Sequence, residues 1–324
     1  MAILCARSRV LSRTRLRPHR LDLILETTMP VSPSDPILPD LTPVDPTPSD
    51  AHRETLRADC SNCFGLCCVA LSFARSADFA LDKSAGEPCV NLQDDFACGI
   101  HQRLRPAGFK GCTVFDCFGA GQKVAQSTYA GVSWVHQPDT RVQMFTAFGV
   151  MRELHEMLWY LTEAAERDVP APLRAEVEAL RRTTANFAER EPDYLAALDL
   201  GAHRGAVGEL LGRVSEWVRS PHAARWLPTQ QTREVGPRAD LLGRDRAGAS
   251  LRGATLRGAV LIAANMTGAD LTAVDLLGAD VRDARLDDAD LAESLFLTQQ
   301  QVNSANGNAR TRLPHALRRP DHWR

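Results

Sequence analysis

The second half of the chain repeats a five-residue pattern, and this period constrains the fold more than any other feature of the sequence. From Ala239 onwards every fifth residue is large and almost always apolar, and a small residue precedes it by two positions. Neither the period of an α-helix nor the alternation of a single strand produces this spacing. The large residues are Leu241, Arg246, Leu251, Leu256, Leu261, Met266, Leu271, Leu276, Val281, Leu286, Leu291 and Phe296.

Both apolar positions of each pentad are predicted to face the same interior. Residues two apart in an extended segment point to the same side, so the small and the large side chain face inward together. Eleven of the twelve pentads fit, and only the second departs, with Arg244 and Arg246 at the two positions. Glycine is often the fifth residue of a pentad, where it tolerates a sharp corner. The pattern therefore predicts a coil whose stacked turns share one core.

These pentads resemble the pentapeptide-repeat family. The resemblance implies that four pentads make one square turn, so the repeats would form a short right-handed quadrilateral β-helix of three turns. At a strand spacing of about 4.8 Å, three turns give a coil roughly 15 Å long, which needs caps at its ends. The stretch "SLFLTQQQVNSANG" predicts a closing helix for one end, and we expect the helical middle of the chain to cover the other.

Eight of the nine cysteines lie in one stretch of fewer than sixty residues, and none follows it. Arginines interrupt any apolar run in the first twenty residues, so we expect no export signal and a reducing compartment. Metal ligation is then favoured over disulfides, although disulfides or unligated buried thiols remain alternatives. Four thiolates complete a tetrahedral zinc site or hold an iron–sulfur cluster. The candidate metal ligands are Cys60, Cys63, Cys67, Cys68, Cys89, Cys98, Cys112 and Cys117.

The stretches "CSNCFGLCC" and "CVNLQDDFACGIHQRLRPAGFKGC" resemble a bacterial family of zinc- or iron-chelating cysteine-cluster proteins. Besides seven of the cysteines, the matching positions are Leu92, Ile100, Arg105 and Pro106. The spacing between Pro106 and Cys112 is wider than usual, and His101 stands where the family commonly has an aromatic residue. The resemblance implies ligands for zinc or iron, including an iron–sulfur cluster, and no reaction. Because adjacent side chains diverge, Cys67 and Cys68 predict two sites, or one site and a spare thiol.

Apolar residues at helical spacing predict a bundle between the cysteines and the pentads. A first helix would start near Asp139 and stop before Pro170, a second would start at Pro172, and a third would end before Pro221. The segment has neither HExxH nor GxSxG, and His155 is interpreted as a structural histidine. No catalytic residue is predicted, and an enzyme is less favoured than a binding protein.

The sequence therefore predicts a multidomain α+β protein with a cysteine-rich metal-binding head, a helical connector and the short right-handed β-helix. The predicted segments are a basic start and Pro-rich linker (1–55), the cysteine-rich region (56–130), the helical bundle (131–228), the pentapeptide repeats (229–300), and a cap with a basic tail (301–324). The arginine-rich tail would lie on the acidic half of the coil, on the acidic surface of a partner, or in solvent.

The charge and the hydropathy of the sequence restrict the classes of partner that we expect. The net charge is −2, and no apolar stretch approaches the length of a membrane span, so we expect a cytoplasmic protein without membrane association. Nucleic-acid binding is unfavoured, and the protein partner and the oligomeric state stay open. Our hypothesis is a metal-binding interaction module, with a redox or metalloenzyme as the alternative. Some pentapeptide-repeat proteins act on DNA gyrase by imitating duplex DNA, but ten acids against six arginines between 239 and 298 favour this less.

Overall fold

The structure of the protein is a computed structural model that describes residues 53–223 and 234–323. All the described residues fall within one compact unit. The predicted basic start and nearly all of the Pro-rich linker lie outside the described residues. In the two described ranges, no helix combines the length and apolar character that a membrane crossing needs.

The cysteine segment (residues 56–130) is built from short helical turns. Its α-helices are Leu66–Ala70 (α1), Lys110–Val114 (α2) and Ala120–Gln122 (α3), and its 3-10 turns are Cys60–Asn62 and His101–Arg103. The helix α3 runs directly into a π-helical turn, Lys123–Thr128. Isolated antiparallel bridges join Phe73 to Lys83 and Leu92 to Cys98. With so little regular structure, this segment depends on its side-chain contacts.

Four helices follow the cysteine segment, after a 3-10 turn at Pro138–Thr140. They are Arg141–Glu166 (α4), Ala171–Ala188 (α5), Pro192–Ala197 (α6) and Gly201–Ala223 (α7). The first begins and ends close to the predicted positions, and the second begins one residue before the predicted Pro172. A proline lies in the first turn of α5 and of α6, where its missing N–H costs nothing.

The helix α7 corrects the prediction that the third helix ends before Pro221. Proline leaves the carbonyl of Trp217, four residues earlier, without its helical N–H donor. The hydroxyl of Ser220 donates to that carbonyl oxygen at 2.8 Å. The helix therefore continues through Pro221 to Ala223.

The pentads form a coil (residues 239–298) with twenty residues per turn. Parallel bridges join residues twenty apart, from Asp240 with Val260 to Asp275 with Leu295. Every bridge is a single residue pair. Two residues of each pentad form a turn, so too few extended residues remain for a longer strand. Within the described ranges no strand of consecutive paired residues occurs, so the implied β-helix is not seen as strands.

The corners of the coil explain the recurring glycines. In six pentads the corner residue is glycine with φ between 61 and 68°. Alanine or aspartate holds the same corner in four other pentads, with φ between 53 and 59°. Side chains rarely adopt this left-handed region, so glycine is favoured there without being required. Inside the corners the large apolar residues pack closely, and the interior leaves a void of only about 10 Å³.

The long helices lie along one face of the coil, whereas the sequence led us to expect them over an open end. From α7, Arg219 Nη1 donates to Gly253 O at 2.9 Å in the first turn. From α4, Trp159 Nε1 donates to Leu297 O at 3.4 Å, and Glu163 Oε1 accepts from the amide of Phe296 at 2.9 Å in the third turn. The helices thus span the three turns from the side.

A short helix after the last pentad closes the C-terminal end of the coil. This helix, Gln299–Ser304 (α8), has a capping box at Thr298 and buries Val302 against the coil interior. The tail then rejoins the coil through parallel bridges of Arg285 with Asn306 and of Asp290 with Arg312. The basic tail therefore lies on the acidic half of the coil, as one of the predicted alternatives had it, with Arg310 2.6 Å from Asp288 and Arg312 2.6 Å from Asp290. Its composition did not reveal that it also continues the register of the coil.

The cysteine segment contacts this closed end through α2. Lys110 Nζ lies 2.6 Å from an oxygen of Asp283 at a corner of the coil. Asn303 of α8 donates from Nδ2 to Thr113 O at 3.1 Å, and its own carbonyl accepts from Arg105 at 3.0 Å. Cys112 thus lies on α2, and both ends of this helix contact the closed end of the coil.

Candidate functional site

All eight cysteines of the cysteine segment carry free thiols. Cys89 is buried, Cys60 and Cys112 are exposed, and the other five are half-buried. The disulfide alternative is therefore not observed among the described cysteines. The thiols lie on two sides of the short helix α1, and each side has its own supporting residues.

On one side, Cys63 and Cys117 approach each other across Gly121 of α3. A Cβ atom added at Gly121 would stand 2.7 Å from Cys63 Sγ and 3.8 Å from Cys117 Sγ, so the two sulfurs lie within 4 Å of one point. The amide of Leu66 donates to Cys63 Sγ at 3.4 Å. Burial raises the pKa of Cys117, and the amides of Gly121 and Gly119 partly oppose this. The glycine leaves room for both sulfurs.

Side chains of α3 and of the π-helical turn that follows it hold the Cys60 turn above these sulfurs. Gln122 accepts from the amide of Asp59 at 3.1 Å and donates to Arg57 O at 2.7 Å. Gln126 donates to Asn62 O at 3.0 Å. Burial raises the pKa of Cys60, and the charges of Cys117 and Cys68 add to the effect. Cys60, Cys63 and Cys117 therefore share one neighbourhood.

On the other side, the buried ammonium of Lys83 connects α1 to the loop that carries Cys89. Lys83 Nζ donates to the carbonyl oxygens of Val69, Ser84 and Glu87 at 3.0, 2.9 and 2.8 Å. The amide of Cys89 donates to Cys68 O at 2.9 Å. Burial lowers the pKa of Lys83, whereas the charges of Cys89 and Cys68 raise it. A cation is thus fixed beside these two thiols.

Cys98 and Cys112 complete this second side. Cys98 pairs with Leu92 in an antiparallel bridge, and the Leu92 amide donates to Cys89 O at 2.9 Å, so one tight loop carries Cys89 and Cys98. Burial raises the pKa of Cys112 to about 12, and the charges of Cys68, Cys89 and Cys98 contribute to the rise. These four thiols lie within electrostatic reach of one another.

The vicinal pair of α1 stands between the two sides. Cys67 Sγ and Cys68 Sγ are 3.9 Å apart. The hydrogen bond between the two thiols raises the pKa of Cys67 and lowers the pKa of Cys68. Two sulfurs of one tetrahedral zinc site would be about 3.8 Å apart, since each zinc–sulfur bond is about 2.3 Å. That distance suits two ligands of one ion and equally two thiols that belong to adjoining sites.

The sequence-predicted metal centre is not confirmed by this geometry. In the parts of the chain that the structure describes, no three or more His, Cys, Asp or Glu side chains are arranged to hold a metal ion. The donor set nevertheless suits zinc or iron, because thiolates are the ligands these ions take from cysteine-rich segments. The space that Gly121 leaves beside two sulfurs also fits this use. Binding one ion through four thiols would require rotation of their side chains.

Sequence reasoning missed Lys83, although a compositional signal pointed to it. The three lysines of the chain, Lys83, Lys110 and Lys123, all lie within the cysteine segment, and every other basic side chain apart from histidine is arginine. His101 is exposed in its 3-10 turn. His155 is buried and bonded to Phe118 O at 2.7 Å, in agreement with its structural interpretation.

Comparisons with known proteins identify the repeats and extend beyond them. The family model described as pentapeptide repeats matches residues 249–288 in eight copies. A protein of Bacillus subtilis (strain 168), described as "Uncharacterized protein YybG", is 52% identical over 269 residues, which cover 83% of this chain and 95% of that protein. The part of this chain that lies outside the alignment is shorter than the cysteine segment. The alignment therefore includes at least part of that segment. The resemblance to cysteine-cluster proteins is not shown by these comparisons and stays a hypothesis.

Proposed function

The chain belongs to the same family as YybG of Bacillus subtilis, and it carries pentapeptide repeats. We propose that the protein is a metal-binding interaction module. In this proposal the eight cysteines of the cysteine segment hold zinc or iron. The coil, as the right-handed quadrilateral β-helix of its family, presents a rigid surface to a protein partner. The helices α4 and α7 connect the two parts.

The convergence of thiols from distant parts of the sequence supports this proposal most directly. Cys63 and Cys117 are far apart in the chain, yet both sulfurs lie against Gly121. Half-buried thiols raise one another's pKa, and without a bound ion their burial adds no stabilising interaction to the fold. A bound metal ion would take up their negative charge and contribute its binding free energy to folding.

The coil supports the role of a scaffold. Its interior is filled by apolar side chains and leaves no room for a ligand. Several surface carboxylates are paired with arginines, including Asp270 with Arg252 at 3.2 Å and Asp280 with Arg282 at 2.6 Å. Such a mixed surface suits a protein partner better than imitation of the uniformly charged DNA duplex.

Metal analysis of the full-length protein, purified without oxygen, tests the proposal. We expect stoichiometric zinc or iron by mass spectrometry of the elements, with an absorption spectrum that separates colourless zinc from coloured iron. The double variant Cys63→Ser with Cys117→Ser should lose metal. Cys5→Ser is the matched control, since this cysteine lies far from the segment in sequence, and it should keep the wild-type content. A reduced wild-type protein that carries no metal and takes up neither Zn²⁺ nor Co²⁺ would contradict the proposal.

A further inference from the structure

We infer that the eight thiols form two adjoining sets of four, each for one metal ion, and that the boundary between the sets runs between Cys67 and Cys68. This inference rests on the proposed metal binding and specifies its stoichiometry. The first set is Cys60, Cys63, Cys67 and Cys117, and the second set is Cys68, Cys89, Cys98 and Cys112.

The first set is assembled by α3 and the turn that follows it. Gly121 brings the sulfurs of Cys63 and Cys117 together, and Gln122 and Gln126 fix the two ends of the Cys60 turn. The amide of Leu66 points at the sulfur of Cys63, as amides do around metal-bound thiolates. The helix α3 and its π-helical continuation thus hold Cys60, Cys63 and Cys117 against the start of α1. Cys67 lies one residue after Leu66 in α1, and the charges of Cys63 and Cys60 raise its pKa.

The second set is assembled by Lys83 and the Cys89 loop. Lys83 binds the carbonyl of Val69, directly after Cys68, together with two carbonyls of the loop that precedes Cys89. The backbone of Cys89 bonds to that of Cys68, and the bridge at Leu92 places Cys98 in the same loop. The helix α2 brings Cys112 to this side, because the amide of Gly111 donates to Asp78 O at 3.0 Å in the loop between the bridged residues Phe73 and Lys83. None of these contacts involves α3.

Helix geometry explains why the boundary falls inside the vicinal pair. Consecutive residues of an α-helix point about 100° apart, so Cys67 and Cys68 of α1 face different directions. Their sulfurs are still only 3.9 Å apart, so the two sets adjoin. Each ion then receives four thiolates, which is the coordination number of structural zinc.

The two sets also differ in their charged neighbours. Asp59 and Asp116 raise the pKa of Cys60, as does Cys68 of the other set, whereas Lys83 lowers the pKa of Cys68. Four thiolates on a divalent ion leave a net charge of −2, which a nearby ammonium stabilises and nearby carboxylates do not. The second set therefore has a compensating cation that the first set lacks.

Stoichiometric titration of the reduced full-length chain with Co²⁺, checked by zinc content, tests this inference. We expect two ions per wild-type chain. The double variant Cys63→Ser with Cys117→Ser and the double variant Cys89→Ser with Cys98→Ser should each keep one ion, and the combined variant none. Cys5→Ser should keep both, and circular dichroism should show that each variant retains its helices.

The wild-type stoichiometry decides the outcome even where a variant fails to fold. One ion per chain, or acid-labile sulfide together with iron, would overturn the division into two sets and leave metal binding intact. Loss of every ion in both double variants, with helices retained, would also overturn it by indicating one shared centre. Absence of any ion from the wild type would overturn the proposed function as well.

Discussion

The side-chain amide of Gln301 donates to the carbonyl oxygen of Ala279 at 2.9 Å and takes the place of a missing backbone amide of the coil. In the regular turns the equivalent carbonyl accepts from the residue 21 positions later, as Ala259 O does from Asp280 N at 2.9 Å. At Ala279 this register is lost, because the chain has left the coil to form α8. Gln301 also donates to Leu276 O at 2.9 Å, so one side chain satisfies two carbonyls at the closed end.

Replacing Gln301 by alanine should therefore destabilise the coil. The Gln301→Ala variant leaves the Ala279 carbonyl without its donor and should lower the free energy of unfolding by about 2 kcal/mol. Urea unfolding followed by circular dichroism measures the change. The neighbouring Gln300→Ala is the control and should change the free energy by less than about 0.5 kcal/mol. Equal effects of the two substitutions would show that Gln301 is not a closing residue.

The exceptional pentad lies in the first turn, at the other end of the coil. Arg246 occupies an inward position of the first turn, and its guanidinium lies 3.0 Å from Glu234 while its Nε atom is buried without a hydrogen-bond partner. Since the pentads begin at Ala239, the first turn has another turn on one side only, so a charged tip can leave the interior there. Arginine at this position ends the apolar column.

Arg246→Leu should leave the fold intact. Arg246 is buried, as are the other inward residues of the first turn, Leu241, Leu251 and Leu256. Leucine extends this apolar layer and removes a buried nitrogen that has no hydrogen-bond partner, so the free energy of unfolding should stay within about 1 kcal/mol of wild type. Urea unfolding followed by circular dichroism measures the change. Arg252→Leu replaces an exposed arginine on the side of the coil and is the control, with an expected change of less than about 1 kcal/mol. A loss in Arg246→Leu several times larger than in the control would show that the first turn requires an arginine.

The coil was predictable from sequence because its inward residues recur at a fixed period. Leu261 and Val281 are one turn apart and both lie in the interior, so the pattern alone predicts stacking. Arg312 could not be assigned in this way, because α8 and an irregular loop separate it from the pentads and break the period. Its bridge to Asp290 depends on the register in which the chain returns to the coil after α8. The position of the helices along a face was also missed, since an apolar helix face does not specify which surface it covers.

The candidate site was predictable as a group of residues and not as an arrangement. Clustering in sequence singled out all eight cysteines, but contacts such as that of Cys117 with Cys63 depend on where α3 packs. Lys83 was missed because its role comes from three carbonyls that only the folded loop brings together. Whether the thiols bind metal stays a prediction.

Gly121→Ala should reduce metal binding without harming the helix that carries it. The added Cβ would stand 2.7 Å from Cys63 Sγ and displace that sulfur from its position beside Cys117. We expect a lower metal content per chain, measured on protein purified without oxygen. Gly149→Ala on α4 is the matched control, because an added Cβ there meets nothing within 4 Å. The control should keep its metal and gain about 0.5–1 kcal/mol of stability from helix propensity. Unchanged metal content in Gly121→Ala would contradict the assignment of this contact to a metal site.

His155 should make the stability of the protein depend on pH between about 6.5 and 4. Its Nδ1 atom donates to Phe118 O at 2.7 Å, and burial lowers its pKa to about 4. The unfolded chain therefore binds a proton below pH 6.5 that the folded chain does not accept until about pH 4. The contribution of this group is fully present above pH 6.5 and is lost as the pH falls, by roughly 2 kcal/mol between pH 7 and pH 5. Asparagine in His155→Asn keeps a donor for Phe118 O without titrating, so urea unfolding at the two pH values should show a loss smaller by this amount. Any acid release of metal affects both proteins alike and cancels in the comparison, so parallel pH dependences would refute the assignment to His155.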